Sequence, residues 1–297
     1  MGKKQKRIKS VDVPPELSGH DLIDWACNEW DVSHVVGLFS GGHDSLTATH
    51  LASRHPRFSF ACHINTGIGV EETREFVRET CRDWGIELRE YRAEDYIGGD
   101  GQPCPQRYTD FVFKYGFPGP GQHHRMYQRL KERPLRNMIR DLDRKRGQKV
   151  LLITGVRADE SIRRTAHVDQ AQIWEGTKVW VAPVWDMTKQ DTNAYVKDNN
   201  LTRNPVVDAI HMSGECLCGA YAHKGELDEL AFWYPETAKE IRIIEDEAAR
   251  LGMPWRWEDG PPKWHAAKAD GQLLLLDEGM LCSTCTVRHN ERTTEDE

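Results

Sequence analysis

Short apolar runs alternate with amphipathic stretches along most of the chain, from about residue 17 to residue 205. The runs are rich in β-branched residues, and the predicted strands are 35–39, 58–64, 86–91, 150–153 and 179–185. Apolar positions at helical spacing predict helices between the strands, among them 17–30 and 188–199. Strands that alternate with helices in this way favour parallel βαβ units. The predicted fold class is therefore α/β, with a Rossmann-like, doubly wound and mainly parallel sheet.

A glycine-containing loop joins the first predicted strand to the helix that follows it. Its residues are Ser40, Gly41, Gly42, His43, Asp44 and Ser45. Glycines let the main chain approach an anion, the N–H groups of such a loop point at it, and the positive end of the helix dipole lies behind it. The loop has neither the lysine of the Gly-x-x-x-x-Gly-Lys-Ser/Thr loop nor the Gly-x-Gly-x-x-Gly spacing of dinucleotide-binding loops. We therefore predict a phosphate-binding loop of another kind, the alternative being an ordinary turn.

Polar and basic residues also follow the second and the fourth predicted strands. They are Asn65, Thr66 and Gly67 after the second strand, and Gly155, Arg157, Arg163 and Arg164 after the fourth. Because ligands of doubly wound sheets bind beyond the carboxyl ends of the strands, we expect these residues near a bound nucleotide. Guanidinium groups match phosphate oxygens, so the three arginines are candidate catalytic residues together with Asp44. The alternative for the arginines is a surface ion-pair ladder with Asp159 and Glu160.

Four of the eight cysteines form two closely spaced pairs in the last third of the chain. Cys216 and Cys218 form a Cys-x-Cys pair, and Cys282 and Cys285 form a Cys-x-x-Cys pair. Four thiolates in two such pairs can surround one tetrahedral metal ion or one cubane cluster. Spacing alone suits Zn²⁺ and a [4Fe–4S] cluster equally, and unrelated buried cysteines are the alternative. Two helices, at about 226–234 and 236–251, are expected to fold back between the pairs, which gives a helical, metal-binding appendage.

Composition narrows the classes of function. A net charge of −7 and a pI near 6.0 argue against a protein that coats nucleic acid or membrane by bulk charge. No apolar run reaches the roughly 18 residues of a membrane span, and the first residues have no apolar core of a signal peptide. We expect a cytoplasmic protein without a membrane partner, whose cysteines are thiols or metal ligands. Cys104 is either an exposed reactive thiol or a loop cysteine without a role.

These patterns predict three consecutive parts. Residues 1–32 form a basic arm and a leading helix, residues 33–210 the nucleotide-binding α/β domain, and residues 211–297 the appendage. Glycine, proline and aromatic residues from 98 to 121 predict a long loop or lid without a regular element. The basic arm is either a contact for phosphates or a solvated tail.

The loop at residues 40–45 resembles the Ser-Gly-Gly-x-Asp-Ser loop of the PP-loop ATP pyrophosphatases, also called adenine nucleotide α-hydrolases. The segment Thr-Gly-Val-Arg-Ala-Asp-Glu-Ser-x-Arg-Arg at 154–164, the strand end at 183–186 and the helix at 188–201 are similar to the phosphoadenosine phosphosulfate (PAPS) reductase branch of those enzymes. The resemblance covers about residues 33–205. It implies a nucleotide-binding sheet and adenylyl chemistry, with the loop holding the β- and γ-phosphates so that the α-phosphate is attacked.

The resemblance further implies ATP with Mg²⁺, and DNA phosphorothioation proteins among the relatives imply a [4Fe–4S] cluster at the four cysteines. We expect an enzyme that adenylates an acceptor, releases pyrophosphate and prepares the acceptor for sulfur transfer. A nucleic-acid acceptor, DNA or tRNA, would be reached through a partner or the basic arm; a small metabolite is the alternative acceptor. A sulfur-donor protein such as a cysteine desulfurase is a candidate partner. The alternatives are a PAPS or adenylyl-sulfate reductase and a nucleotide-sensing subunit without activity. The reductase alternative lacks its C-terminal Glu-Cys-Gly-Leu-His type motif, since Glu215-Cys216-Leu217-Cys218-Gly219 lies mid-chain.

Overall fold

The computed structural model describes residues 9–160, 169–174 and 176–261. The strands within these residues are β1 (Lys9–Ser10), β2 (Val32–Leu38), β3 (Phe58–Asn65), β4 (Leu88–Arg92), β5 (Lys149–Ile153), β6 (Ala171–Trp174) and β7 (Lys178–Val181). The α-helices are α1 (Gly19–Glu29), α2 (His43–Ser53), α3 (Glu71–Asp83), α4 (Tyr108–Tyr115), α5 (His123–Tyr127), α6 (Arg133–Asp141), α7 (Lys189–Asp198), α8 (Pro205–Ile210), α9 (Glu226–Trp233) and α10 (Pro235–Arg250).

The described strands form one sheet in the order β1-β6-β7-β5-β2-β3-β4. The pairings of β2 with β3, β2 with β5 and β5 with β7 are parallel, whereas β6 with β7 and β1 with β6 are antiparallel. Strands β5 and β7 are almost wholly buried, as parallel strands covered on both faces are. The predicted α/β class with a mainly parallel, Rossmann-like sheet is therefore confirmed.

The chain divides into two compact units. The first consists of residues up to 63 together with 76–90 and 139–203, and the second consists of 64–75, 91–138 and the residues from 204 onward. Each unit is assembled from segments that are far apart in the sequence. The three consecutive parts expected from the sequence stay a prediction.

Helix α2 lies in the core of the first unit. Every residue from 45 to 52 is buried, so the helix is enclosed on all sides and not only along one stripe. Leu46 packs with Phe39 and Val77, while Ala48 and Leu51 belong to a second apolar cluster. This packing holds the first turn of α2, which follows directly on the glycine pair.

The core of the second unit is built around α4, α9 and α10. Ala238, Ile241, Ile244 and Ala248 of α10 are buried at helical spacing, whereas Leu251, which follows the helix, is exposed. Trp255 and Trp257 are also buried and pack against this cluster. These two tryptophans therefore stabilise the unit and are not available to stack on bases.

Three local expectations were wrong. The segment 98–121 contains the helix α4, whose Tyr108, Phe111 and Val112 are buried, where an irregular loop was expected. The end of the basic arm forms the edge strand β1, which pairs with β6, a strand that the sequence pattern did not indicate. The strand expected over 179–185 ends at Val181. Across the described residues, every helix is too short or too polar to cross a bilayer.

Candidate functional site

The phosphate-binding loop predicted between β2 and α2 has the backbone that such a loop requires. Gly41 has a φ of +82°, in the left-handed region that glycine adopts without strain. Gly42 is the N-cap of α2 in an extended conformation, and its carbonyl accepts the first helical bond from Leu46 N–H at 2.8 Å. The chain thus turns sharply at the glycine pair and enters the helix with the first-turn N–H groups directed along the helix axis.

Two serine hydroxyls fix the conformation of this loop. Ser45 Oγ donates to the Gly42 carbonyl at 2.9 Å and accepts from Ser40 N–H at 3.3 Å. The two hydroxyl oxygens lie 3.1 Å apart, and because the proton of Ser45 is used on Gly42, Ser40 is the donor between them. Ser40 is exposed whereas Ser45 is buried. Ser45 therefore closes the loop from inside, and Ser40 presents its outer edge to solvent.

Asp44 and Arg157 form an ion pair at the first turn of α2. Arg157 Nε lies 3.0 Å from Asp44 Oδ1, although the N–H direction does not make the contact a hydrogen bond. The Arg157 side chain is 8% exposed and that of Asp44 is 24% exposed. Nη1 of Arg157 also lies 3.8 Å from Asp159 Oδ2 and 3.5 Å from the Met187 carbonyl. The pair places a nearly buried guanidinium beside the loop, and the catalytic role expected of Arg157 and Asp44 stays a prediction.

Gly155 is a site of close backbone approach to α2. A Cβ atom at this position would lie 2.4 Å from the Asp44 carbonyl carbon and 2.5 Å from Ser45 N. These are main-chain atoms that cannot rotate away. Any side chain at 155 would therefore displace the turn after β5 or the first turn of α2.

Asn65, Thr66 and Gly67 belong to the second unit, where they form a turn after β3. Asn65 Oδ1 accepts from Gly67 N–H at 3.0 Å, and Gly67 has a φ of +77°. Thr66 N–H donates to Glu215 Oε1 at 2.8 Å, and the Thr66 hydroxyl donates to the Glu215 carbonyl at 2.6 Å. Asn65 and Thr66 are both buried. Glu215 is therefore the buried partner of Thr66. The sequence did not indicate this role, since no residue next to position 215 signals a buried carboxylate.

The cysteine pair Cys216 and Cys218 lies in a loop of the second unit. Cys218 is buried and Cys216 is partly exposed, and both line a small cavity together with His123 and Tyr221. Burial, followed by the nearby Cys218 and Cys216, raises the pKa of Tyr108, whose hydroxyl donates to the Cys218 carbonyl at 2.9 Å. The Tyr108 hydroxyl therefore lies beside the main chain of the cysteine loop.

The predicted metal site is only partly within the described residues. Cys282 and Cys285 lie outside them, as do the predicted Arg163 and Arg164. Among the residues that are described, no group of three or more His, Cys, Asp or Glu side chains could hold a metal ion. Cys216 and Cys218 supply two soft donors, which suits Zn²⁺ or an iron–sulfur cluster but is half of a four-thiolate set. The metal site stays a prediction.

Fold and loop together define an α/β protein whose sheet has a glycine-containing loop, the predicted phosphate-binding loop, at the carboxyl end of a central strand. The family model of the phosphoadenosine phosphosulfate reductase domain matches residues 34–217, well over half of the chain. The chain belongs to the PAPS reductase family, in the PP-loop superfamily.

Curated relatives agree with this assignment. Phosphoadenosine 5'-phosphosulfate reductase of Vibrio vulnificus is 24% identical over 208 residues, which are 70% of this chain and 74% of the relative. An uncharacterized protein of Methanocaldococcus jannaschii is also 24% identical, over 77% of this chain and 53% of its own length.

The solved structures to which the chain is similar include two enzymes. A PAPS reductase from Candida auris in complex with phosphate has a TM-score of 0.47 and 15% identity, covering 67% of this chain and 94% of that one. The U34-tRNA thiolase NcsA from Methanococcus maripaludis, which contains a [4Fe-4S] cluster, has a TM-score of 0.38 and 14% identity. The match covers 83% of this chain and 84% of the thiolase.

Proposed function

We propose that this protein binds ATP at residues 40–45, cleaves it between the α- and β-phosphates and uses the adenylate to activate an acceptor for sulfur transfer. The observation that carries the proposal is the loop itself. Its glycine turn, its serine-locked conformation and the nearly buried Arg157 held beside it by Asp44 together suit a polyanion at the start of α2.

In this proposal the loop holds the two phosphates that leave. Main-chain N–H groups at Gly41 and Gly42 and the hydroxyl of Ser40 bind the pyrophosphate, and Ser45 keeps the loop in the binding conformation. Arg157 stabilises negative charge that develops near the α-phosphate, the kind of preorganised electrostatic contribution that dominates nucleotidyl transfer. Arg163 and Arg164 would add to this charge. Asp44 orients Arg157 and would hold Mg²⁺, which when bound with ATP neutralises phosphate charge.

Sulfur transfer is the part of the proposal that rests on the cysteines. Cys216 and Cys218, with Cys282 and Cys285, would hold a [4Fe–4S] cluster or Zn²⁺; a cluster would supply a sulfur-carrying site, and Zn²⁺ would supply rigidity. The acceptor would be a nucleic acid, DNA or tRNA, and a cysteine desulfurase would be the sulfur donor. The basic arm, whose last residues form β1, or a partner protein would provide phosphate contacts that the overall charge of −7 does not.

A second candidate is reduction of a sulfonucleotide, which family membership and the Vibrio relatives favour. Such a reductase needs an attacking thiol, and the Glu-Cys-Gly-Leu-His type motif that supplies it in the family is missing from this sequence. A third candidate is a nucleotide sensor without turnover. All three candidate functions bind an anionic nucleotide at the same loop, so only the reaction products distinguish them.

The test measures products from two nucleotides. With ATP and either bulk tRNA or duplex DNA, the proposal expects release of pyrophosphate, and release of AMP only when an added sulfide donor displaces it from the adenylated acceptor. PAPS with a thiol reductant should give no sulfite. Sulfite from PAPS without pyrophosphate from ATP would overturn the proposal in favour of the reductase, and tight binding of the ATP analogue AMPCPP with neither product would favour the sensor.

A matched pair of serine variants connects the activity to the loop. Ser45→Ala removes the hydroxyl that closes the loop, whereas Ser53→Ala removes a hydroxyl at the other end of α2 that donates to the His50 carbonyl at 2.7 Å. We expect Ser45→Ala to lower pyrophosphate release at least tenfold, about the effect of losing 1.4 kcal/mol of hydrogen bonding, and Ser53→Ala to leave it unchanged. Equal effects of the two variants would contradict the assignment of the loop.

A further inference from the structure

The cysteine loop is joined to the turn after β3 by the main chain. The segment 213–217 lies beside the segment 66–70, both in the second unit. Three of the hydrogen bonds between them end on main-chain carbonyls: Val70 N–H donates to Gly214 at 2.9 Å, Leu217 N–H donates to Ile68 at 3.0 Å, and the Thr66 hydroxyl donates to Glu215 at 2.6 Å. The two segments thus form a short ladder outside the sheet.

The ladder leaves no room for a side chain at its centre. A Cβ atom on Gly69 would lie 2.6 Å from the Glu215 carbonyl oxygen and 2.7 Å from that of Gly214. Both are main-chain atoms, so the segments are as close as two backbones can approach. A displacement of one segment must therefore be transmitted to the other.

The carboxylate of Glu215 adds a charged contact to this ladder. The residue is 3% exposed. Its Oε1 accepts from Thr66 N–H at 2.8 Å, and its Oε2 accepts from Arg74 Nε at 3.2 Å, while Arg74 Nη1 also donates to Glu71 at 3.0 Å. A buried carboxylate is tolerated only with such partners, and hydrogen bonds to a charged acceptor are the stronger ones. Glu215 therefore holds Thr66 in a single position.

The next residues along the chain carry the two thiols. The loop that holds Cys216 and Cys218 is fixed from its other side, since Trp257 Nε1 donates to the Leu217 carbonyl at 2.9 Å and Tyr108 donates to the Cys218 carbonyl. With both sides fixed, the thiols follow the position of residue 215. The same residue sets the turn of residues 65–67.

We propose that Glu215 is a positioning residue that couples the turn at residues 65–67 to the Cys216–Cys218 loop, so that a ligand at either one alters the other. The proposal deepens the proposed function, because it makes nucleotide binding and the sulfur or metal chemistry of the cysteines interdependent. Thermodynamic linkage makes the coupling reciprocal: if a ligand at the turn changes the affinity of the cysteine loop by some factor, a ligand at the cysteine loop changes the affinity of the turn by the same factor.

The first test perturbs the turn and reads the result at the thiol. In the full chain, iodoacetamide alkylation of Cys216 is followed by mass spectrometry of its own peptide. Thr66→Val removes the hydroxyl that donates to Glu215, and Glu215→Ala removes the carboxylate. We expect each to raise the Cys216 rate at least threefold. Thr66 and Glu215 are in direct contact through both the hydroxyl and the carboxylate, so the effects of the two substitutions on the rate should not multiply in the double variant.

Two further variants separate positioning from general destabilisation. Glu215→Gln keeps an oxygen for Thr66 N–H, so its Cys216 rate should be close to that of the unchanged protein, and it remains informative if Glu215→Ala does not fold. Glu132→Ala removes another buried carboxylate of the second unit, one paired with Arg136, and should leave the Cys216 rate unchanged. No response to Thr66→Val, multiplying effects in the double variant or an equal response to Glu132→Ala would overturn the proposal.

A nucleotide experiment separates this proposal from the proposed function. If AMPCPP binds, it should change the Cys216 rate at least threefold in the unchanged protein and have no effect in Glu215→Ala. A change that persists in Glu215→Ala would overturn the coupling. If AMPCPP does not bind, the proposed function fails, whereas the response of Cys216 to Thr66→Val still decides whether Glu215 couples the two segments.

Discussion

Substitution of Gly155 by alanine tests whether the turn after β5 determines the geometry of the phosphate-binding loop. Gly155 lacks a positive φ, so alanine introduces no backbone strain and acts only through its Cβ. That atom would lie 2.4 Å from the Asp44 carbonyl carbon, about 1 Å closer than ordinary van der Waals contact. Because only main-chain atoms are in the way, we expect overpacking to lower the free energy of unfolding by about 1–3 kcal/mol.

The same displacement moves the first turn of α2, which contains Asp44 and Ser45. Loss of one well-directed hydrogen bond to a charged phosphate costs about 1.5–3 kcal/mol, so AMPCPP affinity should fall by roughly ten- to a hundredfold. Urea unfolding and calorimetric titration measure the two effects. The control is Gly99→Ala, since Gly99 also lacks a positive φ and a Cβ there would have no atom within 4 Å. If Gly155→Ala matched this control in both stability and affinity, the close approach would have no role in the site.

Two further predictions follow from groups whose ionisation the fold changes. Burial raises the pKa of Cys62 and that of Cys81 to about 12. Timed alkylation at pH 8 should therefore modify the exposed Cys104 quickly and leave these two thiols intact until the protein unfolds. Early modification of Cys62 or Cys81 would show that β3 or α3, respectively, opens. Burial, and then Arg54, lowers the pKa of His50, whose Nδ1 contacts the Tyr195 hydroxyl at 2.9 Å. The stability contributed by the neutral form of His50 is therefore present above the ordinary pKa of 6.5 and is lost as the pH falls through the lower pKa of the folded state. His50→Gln should accordingly flatten the decline in stability to urea between pH 7 and pH 5. An unchanged decline would refute the assignment.

The sheet could be predicted because its signal is local. Strands β3 and β5 appear in the sequence as apolar runs with clear ends, and their alternation with helices leaves few topologies. The cap of α7 could also be predicted: Thr188 and Asp191 form the reciprocal hydrogen bonds of a capping box. The loop at 40–45 could be predicted equally well, since six consecutive residues supply its glycine turn and its serine hydrogen bonds.

The features that were missed depend on contacts between distant segments. Helix α4 follows a glycine- and proline-rich stretch, and its burial comes from packing with residues such as Leu230 and Trp255, which overrides the local pattern. Strand β1 is two residues long and exists only because β6 pairs with it. The role of Glu215 depends on Thr66 and Arg74, about 140 residues earlier in the chain, so no spacing rule could identify it.

The available thiols limit which chemistry the family fold can perform here, because fold alone does not fix a reaction. A reductase needs a nucleophilic thiolate, and a thiol with a pKa of about 12 is ionised in roughly one molecule in 10⁵ at neutral pH. Cys62 and Cys81 are excluded on this ground, and burial raises the pKa of Cys27 as well. Among the described residues, Cys104, Cys216 and Cys218 are left. If Cys216→Ser but not Cys104→Ser abolished sulfite formation, Cys216 would be the nucleophile of a reductase. If pyrophosphate release survived Cys216→Ser, ATP cleavage would need the phosphate-binding loop and not this cysteine.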